Sequence, residues 1–577
     1  MPSRRDFLAL GAAAGAATVL PTPLAAHAAA PGAPPPSRLG TEAGALADLT
    51  TEDLAHAEAV IGLSFRPEQR EMMLPDVQGR LEGYRTIREQ EPENAVVPIL
   101  TLDLPLPPAP REGMTVRFPT RVTSSPSETD LAFASIPELA VLLRARRVSS
   151  VELTQMALDR LTRFDPQLKA TVSLLEERAL RTARERDADL ARGLDLGPLH
   201  GIPYGAKDLL SAVGAPTTWG AMPYREQVIP EDAAVVDLLD AAGAVLVAKL
   251  TLGALAWGDV WFGGRTNNPW NVEQGSSGSS AGPGAAVAAG LVPFAIGSET
   301  YGSIVSPSTR NGVTGHRPTF GRVPTRGAMA LSWSLDKLGP MARSAEDAAL
   351  VFDAIRDVDT VHGDLGFPFD PADDLRGVRL GYVPDLFTEA DGPGGDADRE
   401  TLNVLRDLGA DLVEIALPSG PEVGAVMDLT VTVEASTAFD GLTRSGRVDD
   451  LVRQERFAWP NTFRHGRLIP AVEYVNAQRI RRRLVDETEA ALQQVHALVS
   501  PSFAGGQLAL TNLTGHPAVC VPSGFFPVEG AEAGDPRRQP HSITFVGRLY
   551  ADHTPLRAAH AFQRATGFHR QRPPVGG

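Results

Sequence analysis

Cysteine is almost absent from this 577-residue chain, in which Cys520 is the one thiol. A single thiol cannot form an intramolecular disulfide, so the fold must hold together without covalent cross-links. Cys520 lies in the apolar run 517–521, which favours a buried structural thiol over a nucleophile. The twelve histidines form no HExxH motif and no pair linked to CxxC. The sequence therefore predicts neither a metal site nor a cofactor.

Positive charge is scarce relative to negative charge. The chain has 54 Lys and Arg residues against 70 Asp and Glu residues, so its net charge is −16. That balance argues against a nucleic-acid partner, because surfaces that bind nucleic acid are basic. The N-terminal apolar run Phe7–Leu20 is shorter than the about 20 residues that a transmembrane helix needs. We expect no nucleic-acid partner and no stable membrane anchor, and the sequence leaves the oligomeric state open.

The N-terminus has the features of an export signal. Arg4 and Arg5 precede the apolar run, and the small-residue stretch Ala25–Ala30 follows it. This order predicts a twin-arginine signal peptide over residues 1–30, which directs a folded protein to the periplasm or the extracellular space. The alternative is an uncleaved, amphipathic N-terminal helix.

The remainder of the chain divides into two predicted regions. Residues 31–130 are predicted to be a Pro-rich tether and a helical extension. Residues 131–577 alternate helical and strand-like patterns, as where a helix over 237–242 precedes a buried strand over 244–249. This alternation predicts one large α/β catalytic domain.

The most informative stretch is rich in serine and glycine and runs from Gly275 to Ser308. Such a composition is also typical of flexible linkers. Here, however, Pro283 suits the first turn of a helix, Gly290 suits the residue just past its end, and the apolar run 291–296 predicts a buried strand. These features favour an ordered segment over a linker.

Serines lie at both ends of this ordered segment. Ser279 and Ser280 lie just before the predicted helix, where free N–H groups favour negative charge. Ser303 lies in a turn after the apolar run.

Three motifs, GIPYGAKD at 201–208, GSSAGPG at 278–284 and GSETYGSIV at 297–305, resemble the core of the amidase signature family. The resemblance implies an α/β fold in which helices cover a large mixed central β-sheet. It also implies a Ser–cis-Ser–Lys triad that hydrolyses amides. Lys207 matches the family's base, Ser279 its bridging serine with a cis peptide, and Ser303 its nucleophile.

The implied roles set a physical requirement on the lysine. Lys207 can accept a proton only if burial lowers its pKa enough to populate the neutral amine. The carboxylate of Asp208 would oppose that shift, but successive strand residues point to opposite faces, so we expect Asp208 to face away. The backbone N–H groups predicted to bind the oxyanion are those of Thr300, Tyr301, Gly302 and Ser303.

Other motifs offer rival sites. Ser280 matches a GxSxG nucleophile elbow, but that elbow needs a preceding strand, and residues 271–274 are a poor strand sequence. Ser334 and Lys337 match the SxxK motif of penicillin-recognising enzymes, without the motifs that accompany it. His200 and His316 are expected to be structural, and are the next candidates for a base.

The sequence departs from the family pattern near the predicted site. Tyr301 replaces a glycine that usually precedes the nucleophile, and Val305 replaces an arginine found in many members. The apolar stretch 250–257 replaces residues that are often polar or acidic. Aromatic side chains near the motifs are either part of the core or, if at least two of them face the cleft, walls of a pocket that prefers an apolar or aromatic group. The candidate substrate-binding residues are Trp219, Trp257 and Trp261.

The function predicted from these features is an exported amidase acting on a small-molecule amide, with esters or carbamates as further substrates. The alternative within the family is the glutaminase subunit of a tRNA-dependent amidotransferase. The export signal and the acidic balance count against it, because tRNA is cytoplasmic. A catalytically silent binding protein on the same fold is the alternative from another class.

Overall fold

The computed structural model describes residues 49–90, 112–120, 126–356, 365–388 and 391–577. The described residues from Thr50 onward form one compact unit. The predicted signal peptide and most of the predicted tether lie outside the described residues. No helix within the described part of the chain is both long enough and apolar enough to cross a membrane.

Seventeen α-helices are present in the described residues. They are α1 (Thr51–Ile61), α2 (Pro67–Glu89), α3 (Glu128–Ala132), α4 (Ile136–Arg144), α5 (Ser150–Leu168), α6 (Glu176–Ala191), α7 (Ala234–Ala241), α8 (Ala281–Ala288), α9 (Val305–Asn311), α10 (Ala345–Ile355), α11 (Gly392–Asp407), α12 (Pro421–Ala438), α13 (Asp440–Arg444), α14 (Trp459–Gly466), α15 (Ala471–Leu492), α16 (Gln507–Leu513) and α17 (His553–Thr566).

The strands number fifteen over the same residues. They are β1 (Thr171–Leu174), β2 (Pro203–Lys207), β3 (Val245–Leu250), β4 (Val260–Trp261), β5 (Gly264–Arg265), β6 (Asn267–Asn268), β7 (Asn271–Gly275), β8 (Phe294–Glu299), β9 (Thr314–Arg317), β10 (Lys337–Ala342), β11 (Arg379–Tyr382), β12 (Asp411–Glu414), β13 (Ala497–Pro501), β14 (Ala518–Pro527) and β15 (Arg538–Gly547).

Eleven of these strands form one mixed sheet in the order β1-β3-β2-β8-β10-β9-β14-β15-β13-β11-β12. Strand β2 runs parallel to both of its neighbours, β3 and β8, whereas β14 and β15 form a long antiparallel pair. Every residue of β2, β3 and β8 is buried, as expected for central strands covered on both faces. The predicted α/β class with a large mixed sheet is confirmed.

The parallel pairing of β2 and β8 brings distant parts of the sequence together. Ala206 on β2 pairs with Ile296 on β8, so the carboxyl ends of both strands lie at one edge of the sheet. Lys207 ends β2, and Ser298 lies near the end of β8. Ligands of α/β sheets bind beyond the carboxyl ends of parallel strands, and this edge is therefore where a site is expected.

The serine-rich stretch is ordered, as predicted, but its strand is displaced. Helix α8 includes Pro283 and ends near Gly290, which has a φ of +62°. Strand β8 covers residues 294–299, three residues later than the apolar run 291–296 suggested. The strand begins after Pro293, which lacks an N–H to donate to a neighbouring strand. It therefore includes the polar residues Ser298 and Glu299.

The predicted helical extension contains α1 and α2. Charged contacts join α2 to the main body: Arg80 lies 2.9 Å from Asp428 on α12, and Asp76 lies 2.9 Å from Arg456 in the turn before α14. The buried side chain of Tyr84 on this helix also packs with apolar residues of α12 and α15. The division at residue 130 between extension and catalytic domain stays a prediction.

Candidate active site

Lys207 lies at the carboxyl end of β2 with none of its surface exposed. Its Nζ atom is 2.8 Å from Ser279 Oγ, 2.8 Å from Ser298 Oγ and 3.0 Å from Ser280 Oγ. The strand supplies the lysine, the turn before α8 supplies two serines, and the end of β8 supplies the third. The structure thus brings Lys207 and Ser279 together in a buried polar cluster.

Burial determines the charge of this lysine. Removal from water lowers the pKa of Lys207 well below its ordinary value, against the opposing effect of the Asp336 and Glu299 carboxylates. Its hydrogen-bonding partners among the side chains are neutral hydroxyls. Since no carboxylate of the described residues lies in direct contact with Nζ, the neutral amine is favoured.

The hydrogen bonds of Ser280 decide which hydroxyl can donate to that amine. Ser280 Oγ donates to the Ser298 carbonyl at 3.1 Å and accepts from the Ser298 N–H at 3.1 Å. Its one proton is therefore already used, and it can only accept from Lys207. The one hydrogen-bond partner of the Ser279 hydroxyl among the described residues is Lys207. Ser279 can therefore donate to the lone pair of the neutral amine.

Ser303 lies half-buried in the turn between β8 and α9. Its carbonyl accepts a hydrogen bond of 3.2 Å from the Ser280 N–H, which joins this turn to the one that holds Ser279. The peptide bond between Gly278 and Ser279 is cis. Gly302 has a φ of +83°, a conformation that residues with side chains rarely adopt.

The predicted oxyanion donors lie in the same turn. The backbone N–H groups of Tyr301, Gly302 and Ser303 donate no hydrogen bond to another described residue. Below them, the Glu299 carboxylate accepts from the N–H groups of Ile304 (2.8 Å) and Val305 (2.9 Å). The first N–H groups of α9 are thus bound by protein, and those of the turn are available to a ligand.

A buried ion pair supports this turn. Arg317 Nη1 lies 2.9 Å from Glu299 Oε1, and both side chains are fully buried. Burial alone would raise the pKa of Glu299, but Arg317, Lys337 and the Val305 N–H outweigh it and lower the pKa to about 2. Glu299 is therefore ionised near neutral pH, and its hydrogen bonds to α9 are charge-assisted.

Asp208 faces away from the cluster around Lys207, as predicted. Its carboxylate lies 2.7 Å from Lys249 Nζ and accepts from the Thr218 N–H at 3.0 Å. This ion pair lies on the opposite face of β2 and gives the carboxylate its own cation. Asp208 therefore does not hold Lys207 in its charged form.

A cavity of about 410 Å³ borders the serine cluster through Ser298 and Thr300. Its walls are largely apolar and include Leu209, Val323, Met329, Leu331 and Trp333. Asp336 lies on the polar side, where it accepts hydrogen bonds from the Thr300 hydroxyl (2.6 Å) and the Leu331 N–H (2.7 Å). The cavity can hold an apolar group next to the predicted oxyanion turn.

The three predicted substrate-binding tryptophans do not line this cavity. Trp219 packs against Tyr224, Trp261 packs against Phe262, and Trp257 lies under the Arg453 guanidinium at 4.1 Å. Ala256, beside Trp257, is the residue of that region that reaches the cavity wall. A role for these tryptophans in binding the substrate stays a prediction.

The expectation that residues 271–274, which precede the rival nucleophile Ser280, form no strand was wrong. Residues 271–275 do form a strand, β7, although their sequence suggested otherwise, because they pair with β6 in a two-stranded ribbon. Four residues, 276–279, still separate this strand from Ser280. The Ser280 hydroxyl is completely buried and bound by Ser298, so it is poorly placed to attack a substrate.

The other rival residues have structural partners. His200 accepts from the Leu196 N–H at 3.1 Å and donates to the Arg186 carbonyl at 2.9 Å. His316 is buried 3.3 Å from Asp552. Lys337 of the SxxK motif donates to the Leu335 carbonyl. The described residues contain no group of three or more His, Cys, Asp or Glu side chains arranged to hold a metal ion.

Sequence reasoning missed three polar residues of the site. Ser298 and Glu299 lie beyond the strand that the apolar run predicts, and the sequence marks Asp336 only as a member of the SxxK motif. The sequence signal that could have identified the first two is a charged or hydroxyl side chain at the end of an apolar run, because a polar side chain buried there needs a specific hydrogen-bond partner. Which partner they find depends on the sheet order, which the sequence does not show.

Comparisons with known proteins agree with this architecture. The family model for amidases matches residues 152–512, and the model for the twin-arginine translocation signal matches residues 1–21. A glutamyl-tRNA(Gln) amidotransferase subunit from Chloroflexus aurantiacus is 34% identical over 496 residues, which cover 77% of this chain and 99% of that protein. AmiD of Mycobacterium bovis, which carries the name of an amidase, is 34% identical over 482 residues, which cover 78% of this chain and 97% of that protein.

A solved structure shares the fold. The native peptide amidase from Stenotrophomonas maltophilia superposes with a TM-score of 0.67 at 28% identity, and the match covers 78% of this chain and 99% of that one. The family match and the shared fold thus identify an amide-hydrolysing enzyme. The chain belongs to the amidase family, in its amidase signature group, and it carries a twin-arginine signal that indicates export.

Proposed function

We propose that this protein is an exported amidase that cleaves a carbon–nitrogen amide bond through an acyl-enzyme on Ser303, with Ser279 as proton relay and Lys207 as base. The observation that carries this proposal is the buried contact of Lys207 Nζ with Ser279 Oγ at 2.8 Å, in surroundings that favour the neutral amine. The turn that holds Ser303 is bonded to the turn that holds Ser279.

The proposed reaction begins when Ser303 Oγ attacks the amide carbonyl carbon. The Ser303 proton passes to Ser279 Oγ, and the Ser279 proton passes to Lys207 Nζ. The N–H groups of the turn stabilise the negative charge on the tetrahedral oxygen. When the C–N bond breaks, the proton returns through Ser279 to the leaving amine. Water then attacks the ester by the same route and releases the acid and the Ser303 hydroxyl.

The cavity supports an apolar or aromatic group in the substrate. Its volume of about 410 Å³ and its walls of Met329, Leu331 and Trp333 suit a hydrophobic acyl or amine portion. Esters and carbamates could react through the same acyl-enzyme. Assays with aryl amides, aliphatic amides, peptide amides, esters and carbamates test this proposal, and we expect turnover of apolar amides without added glutamine, ATP or tRNA.

The glutaminase hypothesis rests on the relatives named as amidotransferase subunits. The export signal and the apolar cavity favour a self-sufficient enzyme over it. Turnover that is limited to glutamine, requires a partner protein and fails with every apolar amide would support the amidotransferase function instead. No turnover of any amide or ester would favour a silent binding protein.

Ser279→Ala is expected to lower kcat by roughly 10²–10⁴-fold, because it removes the proton relay between Ser303 and Lys207. The protein should stay folded, since Ser279 has no other side-chain hydrogen bond within the described residues. The matched control is Ser280→Ala, which leaves the Ser298 N–H without its acceptor and should cost about 1–3 kcal/mol of stability. Steady-state kinetics and urea unfolding measure both effects, and unchanged kinetics in Ser279→Ala would contradict the relay.

Replacing Arg4 and Arg5 together by lysine is expected to block export, because the twin-arginine pair is what the pathway reads. Full-length, active protein should then accumulate in the cytoplasm. Cell fractionation followed by immunoblotting and an activity assay measures this distribution. Normal secretion of the double variant would mean that the protein uses a different route.

A further inference from the structure

A second cavity, of about 470 Å³, lies apart from the catalytic region. Its walls come from α11, from the end of β14 and from the C-terminal part of α17 with the residues that follow. It shares no lining residue with the cavity beside Ser298. The aromatic rings that line it are those of Phe525, Phe526, Phe562 and Phe568.

One side of this cavity carries negative charge. On α11, residues at helical spacing form a stripe along the face that lines the cavity. Ala397, Thr401 and Val404 are uncharged residues of this stripe. Asp396 and Glu400 belong to the same stripe and are exposed at its rim. Arg399 pairs with Asp396 at 2.7 Å, whereas Glu400 accepts a hydrogen bond from the Asn403 amide. No lysine, arginine or histidine is among the lining residues.

A buried hydroxyl without a partner lies in the wall. Ser523 is 3% exposed, and its Oγ atom has no hydrogen-bond partner among the described residues. It is the extra residue of a β-bulge, since Pro522 pairs with Ser542 and Gly524 pairs with His541. Bulges redirect side chains and recur at functional sites. A buried polar atom left unpaired is costly, which points to a ligand that satisfies it.

From these features we infer that this cavity is a binding site for a small arylalkylammonium ligand. The aromatic ring would pack among the phenylalanines, and the ammonium group, which has three N–H donors, would bind the Glu400 carboxylate and donate a hydrogen bond to Ser523 Oγ. Aromatic walls also favour a cation, because the faces of aromatic rings are negative. The inference does not depend on the identity of the catalytic residues.

The test is calorimetric titration of the purified protein with 2-phenylethylamine at neutral pH. Neutral 2-phenylethanol and anionic 3-phenylpropionate, which share the ring but differ in charge, serve as matched ligands. We expect the amine to bind at least about tenfold more tightly than either. Glu400→Gln, a change at an exposed position, should remove most of that preference.

Two further variants locate the site. Ala397→Phe should abolish binding by filling the cavity, whereas Trp333→Ala, which alters the cavity near the catalytic region, should leave the affinity unchanged. Ser523→Ala should weaken amine binding severalfold and raise the Tm of the free protein, because it removes an unpaired buried hydroxyl. Equal binding of the amine and the alcohol, no binding of the amine at millimolar concentration, or full affinity in folded Ala397→Phe would overturn the inference.

Discussion

Lys207→Met is expected to lower kcat for amides by roughly 10²–10⁴-fold, because it removes the proposed base and keeps an unbranched side chain as far as Cε. In the wild-type protein, activity should rise with pH along one acid limb as Lys207 loses its proton. Burial lowers the pKa of Lys207, so this limb should lie below the ordinary lysine value of 10.5. The pH dependence of kcat/KM, measured for an amide and for an activated ester, checks this expectation.

The variant should lose the limb and should be impaired less on the activated ester, whose leaving group needs less proton donation. Lys337→Met is the matched control, because Lys337 is also buried with a strongly lowered pKa but donates to a backbone carbonyl and not to the serine cluster. It should keep the acid limb. An unchanged pH profile in Lys207→Met would show that another group is the base.

The same lysine should affect stability in a pH-dependent way. Its pKa is lowered in the folded protein and is ordinary in the unfolded chain, so between these values the unfolded chain binds one proton more. The free energy of unfolding should therefore rise with pH across that interval. Lys207→Met should remove this contribution to the slope, which urea unfolding at several pH values can measure.

Ser303→Ala is expected to abolish turnover, with a loss in kcat of roughly 10⁴-fold or more, because the proposed covalent intermediate cannot form. The fold should be unaffected, since Ser303 is only half-buried and lies in a turn. Substrate binding should also persist, because the apolar cavity walls are unchanged. Single-turnover kinetics and equilibrium binding of the substrate to the variant measure these two effects separately.

Ser306→Ala is the matched control for this change. Ser306 lies in the first turn of α9, its hydroxyl is 2.7 Å from Ser277 Oγ, and it is not one of the serines that contact Lys207 Nζ. The variant should retain most of the activity. Residual turnover above about 1% in Ser303→Ala would mean that a different side chain attacks the substrate.

Local sequence patterns predicted much of the ordered core. The helix after Ser280, the strand that ends at Lys207 and the outward direction of Asp208 follow from glycine and proline positions and from the alternation of strand residues. The positions of Lys207 and Ser279 came from the family resemblance. Their contact depends on how the turn before α8 packs against the end of β2, a long-range feature that no local pattern encodes.

The cavity, strand β7 and the packing of the tryptophans could not be predicted from the sequence, because each depends on contacts between separate segments. The cavity beside Ser298 is formed largely by residues 320–338, whose side chains carry no periodic pattern that marks a wall. Strand β7 depends on pairing with β6, which overrides the weak strand propensity of its polar sequence. The tryptophans near the motifs pack on Tyr224, Phe262 and Arg453, contacts that form only with the folded arrangement of these segments.

The identity of the nucleophile is the central claim, and covalent labelling tests it most directly. The purified protein is treated with a fluorophosphonate that reacts with activated serines, and the labelled peptide is mapped by mass spectrometry. A single adduct on Ser303 is predicted, present in Ser306→Ala, strongly slowed in Lys207→Met and absent in Ser303→Ala. An adduct on Ser280, retained when Ser303 is replaced, would contradict the account.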